Sequence, residues 1–315
     1  MNLLRLRIRP AGAWVTPWQA DTLMGMLACA LARAAGDTRL EDELLDPWRA
    51  GHPPFVLSDA FPGDLLPAPA CLPLLGWPEE QRKLVKRTEW LTPEQFRQLQ
   101  AGNMPAITAE LPEAYSDGSR VRNTLDRVTD RTGAPGSLFD TPAILLAREQ
   151  PWLSVYGKVA PGKETLLLEL FHLLSETGFG ADASVGFGQF SVDASHDGAA
   201  WLVDVTGADG WVSLSTCQPG PRDPTDGCWR SFIKQGKLGP DFGVDSVFKR
   251  PQWMLRPGAR FRQPPPLPDW AGRVIASEEL LPAALLNQLH SRGVRPVQPA
   301  FALAVPMKWR QEFSE

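Results

Sequence analysis

"TGFGADASVGFGQF", residues 177–190, places Gly178, Gly180, Gly186 and Gly188 as two G-x-G pairs around the polar "ADAS". What precedes and follows it decides the fold. Nucleotide-binding glycine motifs sit between a strand and the start of a helix, where the helix N-terminus supplies the positive end of its dipole. Here the order is reversed: "KETLLLELFHLLSET" (163–177) has the apolar spacing of a helix, and "GQFSVDA" (188–194) alternates as a strand. No GK[ST] or ribose-binding acid accompanies the glycines. Two readings remain, a backbone that approaches a ligand closely because it lacks Cβ atoms, or a connector. The paired spacing favours the first.

Working outward, "WLSVYGKV" (152–159) reads as a strand joined to that helix through the turn "APG". The same order opens the chain. In "LLRLRIR" (3–9), Leu4, Leu6 and Ile8 face one way and Arg5, Arg7 and Arg9 the other, as the period of a strand requires. "TPWQADTLMGMLACALARAAG" (16–36) follows as a helix, with Thr16 and Gln19 spaced as a capping box, Pro17 suited to the first helical position, and Leu23, Leu27, Ala30, Leu31 and Ala34 on one stripe up to Gly36. "PPFVLS" (53–58) is a further strand. The resulting β-α-β-β-α-β order predicts an α+β, ferredoxin-like (RRM-like) domain with the arginine-bearing strand at the centre of an open sheet.

Residues 60–150 are too long for a connection and read as an insertion. Its first part is proline-rich and acidic; its second, "SDGSRVRNTLDRVTDRTGAPGSLFD" (116–140), mixes four arginines with turn residues. Past residue 197 a second, diverged ferredoxin-like domain is expected. "WLVDV" and "WVSLST" would pair as strands around "TGADG", "SEELLPAALLNQLH" (277–290) would form a helix, and "PAFALAVPM" (299–307) a last strand. The domains are therefore 1–196, with its insertion and the glycine loop 178–188, and 197–315.

With 32 Lys+Arg against 36 Asp+Glu, the 315-residue chain gives no electrostatic reason to be a free-standing nonspecific nucleic-acid binder. Its charge is segregated, however. Residues 230–262 hold eight basic and two acidic side chains, and residues 36–80 hold nine acidic and two basic. Such a pattern suits a subunit that holds an anion on one side and meets basic proteins on another, or merely two solvated faces. Cys29, Cys71, Cys217 and Cys228 form no C-x-x-C pair and read as free thiols of a reducing cytoplasm. Neither a signal peptide nor a run of ~20 apolar residues is present, so a soluble, cytoplasmic protein is expected.

Four segments carry a family resemblance. "GFGADASVGFGQF" (178–190) resembles the glycine-rich loop of the repeat-associated mysterious protein (RAMP) superfamily of CRISPR effector subunits. "TPWQADTLMG" (16–25), "PPFVLSDAFPG" (53–63) and "RNTLDRVTDRTG" (122–133) followed by "SLF" narrow the resemblance to the fourth Csm subunit of type III-A complexes; beyond residue 192 it thins to "FKRPQWMLRPGARF" (248–261) and the final strand. The resemblance implies a non-catalytic subunit without cofactor or metal. Such a subunit binds and caps the 5′ repeat-derived tag of crRNA and bridges the large palm-domain subunit to a RAMP backbone subunit, meeting target RNA only indirectly.

By motif, the resemblance places Gly178, Phe179, Gly180, Ser184, Gly186, Phe187 and Gly188 against the tag backbone, and Trp18 is counted in the RNA-binding set. It makes the segment of Arg122, Asn123, Arg127, Thr129 and Arg131 a thumb-like hairpin across the guide, although Asp126 and Asp130 add negative charge there. Lys249 and Arg250 join the RNA-binding set, as do Arg5 and Arg7 unless the second domain covers their face. Asp21 reads either as a catalytic carboxylate or as a first-turn acid favoured by the helix dipole, and the second is preferred. The alternative function, a metal-independent crRNA-processing RAMP nuclease, needs a general acid and base. His52, His172, His196 and His290 are scattered, with none in the loop between the first strand and helix.

Overall fold

A computed structural model describes residues 1–109, 111, 113–123, 125–132, 138–195, 199–244 and 247–309. His196 and the junction at 196–197 lie outside the described residues, as do Thr124, residues 133–137 and Asp245. The first half runs β1 (Asn2–Pro10), α1 (Ala20–Ala35), β2 (Phe55–Pro62), β3 (Tyr115–Asn123), β4 (Leu138–Leu146), β5 (Leu153–Val159), α2 (Glu164–Thr177) and β6 (Phe190–Ser195). Strands β6, β1, β5 and β2 form one sheet in that order, every neighbour antiparallel. Counted along the β-α-β-β-α-β path, the order is fourth, first, third, second, which puts β1 inside the sheet.

Period-two alternation turns Leu4, Leu6 and Ile8 of β1 into the core, where they meet Leu23, Leu27 and Leu31 of α1 and Leu167, Leu170 and Leu174 of α2. Each such buried side chain contributes about 1.5–3 kcal/mol relative to exposure. Gly36 ends α1 as expected, at φ 84°. The helix start differs from expectation. Gln19 occupies the cap position, its side chain caps nothing, and Pro17 lies outside the helix. Asp59 takes over the capping role, because a bulge in β2 between Leu57 and Ala60 turns its carboxylate toward the Ala20 N–H at 2.8 Å.

The second half contains β7 (Gly210–Ser213), β8 (Gly227–Cys228), β9 (Ser231–Lys234), β10 (Gln252–Leu255), β11 (Arg260–Arg262), β12 (Trp270–Ile275), α3 (Ser277–Leu280), α4 (Ala283–His290) and β13 (Gln298–Met307). Its main sheet has the order β8-β11-β7-β13-β12. The four strands β13, β7, β11 and β8 repeat the fourth-first-third-second neighbour pattern, all antiparallel, with β12 added at one edge. Val212, Leu214, Phe301, Leu303, Val305 and Met307 belong to the same apolar core as β1 and α1. The two sequence halves therefore share one interior.

Two expected elements are corrected. "WLVDV" is not a strand paired with "WVSLST"; Ala200–Leu202 is a single 3-10 turn. Instead β7 pairs on both edges, with β11 and β13, and the burial of both Trp211 and Val212 shows that both of its faces are covered. The helix expected over 277–290 breaks between Leu280 and Ala283, because Pro282 disfavours helical geometry at Leu281, which sits at φ −113°, ψ 143°. Among the described residues no helix is long and apolar enough to cross a membrane.

Candidate nucleic-acid interface

The glycine loop is pinned into the protein along most of its length. A Cβ at Gly188 would lie 1.9 Å from the Phe179 carbonyl oxygen, because the Phe179 N–H donates to the Gly188 carbonyl at 2.8 Å and draws the two backbones together. At Gly180 a Cβ would meet Thr16 Cβ at 2.6 Å, and at Gly178 it would meet Gln189 Nε2 at 2.5 Å. Only at Gly186, where φ is +94°, does nothing lie within 4 Å. Three glycines thus serve internal packing, and one faces open space.

The amides follow the same division. Those of Phe179, Gly180, Ala181, Val185, Gly186, Phe187 and Gly188 have acceptors within the chain, including Thr16 Oγ1 for Ala181 at 2.9 Å and Met26 Sδ for Gly180. Among the described residues the amides of Asp182, Ala183 and Ser184 have none. Thr16, spaced as a helix cap, is instead the clasp of this loop. Phe179 is fully buried and stacks on Trp18, with centroids 3.9 Å apart and planes at 15°. Phe187 is buried as well. These three rings, read in the sequence as RNA contacts, offer no face for a base; they anchor the loop. The exposed tip is Ala181 with Ser184–Gly186, and Asp182 holds φ at 61°.

Beside the tip runs the β3–β4 ribbon, paired without interruption from Tyr115↔Leu146 to Asn123↔Leu138. Its root is fixed to the β1–α1 loop by reciprocal bonds between Trp14 and Ile144 and by Trp14 packing edge-on to Tyr115. Farther out, Leu125–Asp126 pair with Arg131–Thr132, with a turn between them. Arg120 and Arg122, two residues apart and so on one face, both reach the glycine loop. Arg122 Nη1 meets Asp182 Oδ1 at 3.1 Å; Arg120 Nη1 lies 3.4 Å from the Val185 carbonyl and its guanidinium 5.7 Å from the Phe187 ring centre. Arg127, Thr129 and Arg131 are exposed at the outer end, and Asn123 is exposed where β3 finishes. The structure thus brings the glycine loop and the arginine segment together. It adds Arg120, whose signal in the sequence was its two-residue spacing from Arg122.

The arginines of β1 divide along the strand. Arg5 is buried and paired at 2.8 Å with Asp64, in the segment that follows β2. Arg7 lies over Trp152 at 4.5 Å, and Arg9 is exposed, 3.9 Å from Asp193. Lys249 and Arg250 stand elsewhere. The Lys249 amine donates to Gln298 at 3.0 Å, and burial pushes its pKa down; Arg250 donates to the Glu278 carbonyl. Asp21 is buried in an ion pair with Lys234 at 2.7 Å and accepts from Gln298 at 2.9 Å. His52 is exposed in the loop before β2, His172 is exposed on α2, and His290 is hydrogen-bonded to Ser277. Among the described residues no group of three or more His, Cys, Asp or Glu could hold a metal.

No family model matches the sequence, and no curated protein matches it. In fold the chain is similar to a chain of the Csm1-Csm4 cassette in complex with cA4, with TM-score 0.64 and 18% identity over 98% of this chain and 99% of that one. The cassette in complex with pppApA gives TM-score 0.63 at 18% identity, over 98% and 99% of the two chains. A chain of the Csm3-Csm4 subcomplex in the type III-A CRISPR-Cas interference complex gives 0.60 at 11% identity, over 97% and 100%. Csm4 is the component these assemblies share, and the likeness in fold spans nearly the whole chain.

Proposed function

We propose that this protein is the fourth-Csm-type subunit of a type III-A CRISPR interference complex in the cytoplasm. In this reading it is built of two ferredoxin-like halves, 1–196 and 197–315, with the β3–β4 ribbon as its thumb. It holds the 5′ repeat-derived tag of crRNA and joins a large palm-domain subunit to a backbone subunit, without catalysing a reaction. The observation that carries the reading is the pairing of the glycine-loop tip with an arginine-bearing ribbon through Arg122–Asp182 and Arg120–Val185.

The chemistry suits a single-stranded RNA backbone. The amides of Asp182, Ala183 and Ser184 with the Ser184 hydroxyl give neutral donors at the tip, while Arg127 and Arg131 supply exposed charge. Asp182 neutralises Arg122, so the electrostatic work falls on the outer arginines. Loss of one single-strand phosphate contact lowers the log–log salt slope by about 0.7. Fluorescence anisotropy with tag-bearing crRNA tests this: Arg127→Ala/Arg131→Ala should lower the slope by about 1.4 while the protein stays folded. Equal affinity of the wild-type protein for tag-bearing and tag-less RNA would refute tag recognition.

A further inference from the structure

We infer that the outer face of the β9–β10 ribbon is a docking surface for a protein partner that presents apolar side chains ringed by carboxylates. Ile233 and Trp253 are directly opposed across this two-stranded ribbon. They are 65% and 41% exposed, and Phe248, next to the ribbon, is 49% exposed. Large apolar side chains gathered in this way on a surface mark an interaction site rather than ordinary surface composition.

The ribbon is packed from behind. Phe232 and Met254 pack with Leu280, Leu285 and Leu289, and Lys234 is tied to Asp21 of α1. A display anchored by packing in this way lowers the entropic cost of docking.

Charge selects the occupant. Lys237, Arg230 and Arg256 are exposed around the ribbon and, among the described residues, pair with no carboxylate. Lys237 Nζ lies 5.0 Å from the Phe248 ring centre, so one face of that ring is taken, and the centre of the patch is an aliphatic–indole pair. A single-stranded nucleic acid would need successive free aromatic faces for its bases. An apolar protein surface with an acidic rim matches both the centre and the edge. The surface is distinct in its residues from the proposed tag site, and that functional reading enters only in the choice of assembly partners.

The test is reconstitution of the full chain with crRNA, a large palm-domain subunit and a backbone subunit. Ile233→Asp/Trp253→Asp changes only exposed positions and should raise the Kd for one of the two proteins at least tenfold, with the affinity of the isolated chain for crRNA unchanged. Lys237→Glu should weaken the same contact and flatten its salt dependence. A p-benzoylphenylalanine at position 253 of the assembled complex should crosslink to a protein segment rich in Asp and Glu. Assembly unaltered by the double variant overturns the inference and leaves the tag-binding reading standing. So does a loss confined to crRNA affinity, or a crosslink to RNA, either of which makes the face an RNA platform. If the wild-type chain joins neither protein, the assembly reading fails and this inference fails with it.

Discussion

Gly186→Ala and Gly188→Ala place the same methyl group in one loop, two residues apart, with opposite surroundings. Both backbones have positive φ, 94° and 63°, so each alanine carries a conformational penalty of about 1–2 kcal/mol. At Gly186 nothing more is added, since no atom lies within 4 Å of the new Cβ. At Gly188 the methyl would stand 1.9 Å from the Phe179 oxygen, which forces the two backbones apart. That movement breaks the Phe179 N–H bond to Gly188 and pulls the buried Phe179 ring off Trp18. Full loss of a buried phenylalanine's packing costs about 3–5 kcal/mol. Gly188→Ala should therefore destabilise by about 3 kcal/mol or more, and Gly186→Ala by about 1. Urea denaturation followed by tryptophan fluorescence measures both, since Trp18 lies against the moving ring. Equal losses for the two variants, or a loss below about 1 kcal/mol at Gly188, would refute the view that the loop is pinned from within.

Three further outcomes are expected. Burial pushes the Asp59 carboxyl up to about 6, despite donors at Thr216 and Ala20 that favour its charged form. The folded state thus holds this proton more tightly than the unfolded chain, and on the order of 3 kcal/mol of stability present below about pH 4 is lost as pH rises through 6. Asp59→Asn can still accept from the Ala20 and Thr216 amides and should flatten that slope; an unchanged slope in unfolding free energy between pH 4 and 6 excludes Asp59 as its origin. Asp21→Ala strands the Lys234 ammonium and should cost about 3–5 kcal/mol, much of it recovered in Asp21→Ala/Lys234→Met, as thermal denaturation would reveal. A double-mutant cycle on Arg122 and Asp182 should return a coupling below about 1 kcal/mol in stability, because the pair is partly exposed; a much larger value would mean that the ribbon holds the loop's fold.

The path of the chain was legible where an element carries its own period. The alternation of Leu4, Leu6 and Ile8 and the stripe of Leu23, Leu27 and Leu31 each name a buried face without knowledge of the partner. What the partner decides was not legible. Arg5 reads as part of an open basic face, yet its counter-ion, Asp64, arrives from the segment after β2. Phe179 and Phe187 enter the RNA-binding set through the resemblance of their loop, whereas the positive-φ glycines let the backbone fold the rings inward. The residues left accessible in the loop are consequently the plain ones at the tip, Asp182 to Gly186, beside the arginines of the adjacent ribbon.

The first turn of α1 explains why local pattern and tertiary placement diverge there. Thr16 and Gln19 have the spacing of a capping box, which would satisfy the helix amides from within the segment. The fold uses both side chains for longer reach: Thr16 Oγ1 accepts from Ala181 of the glycine loop, and Gln19 Oε1 accepts from Lys234 of β9 at 2.6 Å. The amide left at the helix start is then met by Asp59 from the β2 bulge. One helix end is thereby bonded to the glycine loop, the second strand and the C-terminal ribbon at once. A cap made locally would stabilise α1 by about 1 kcal/mol and fix nothing else. A cap supplied from β2 frees two side chains to hold the loop and the ribbon against the same turn. Thr16→Val should accordingly leave α1 intact and loosen the loop. Hydrogen exchange should quicken at the Ala181 amide, while exchange at Leu23 and beyond stays at the wild-type rate. Faster exchange along the helix instead would restore Thr16 to the capping role that its spacing suggests.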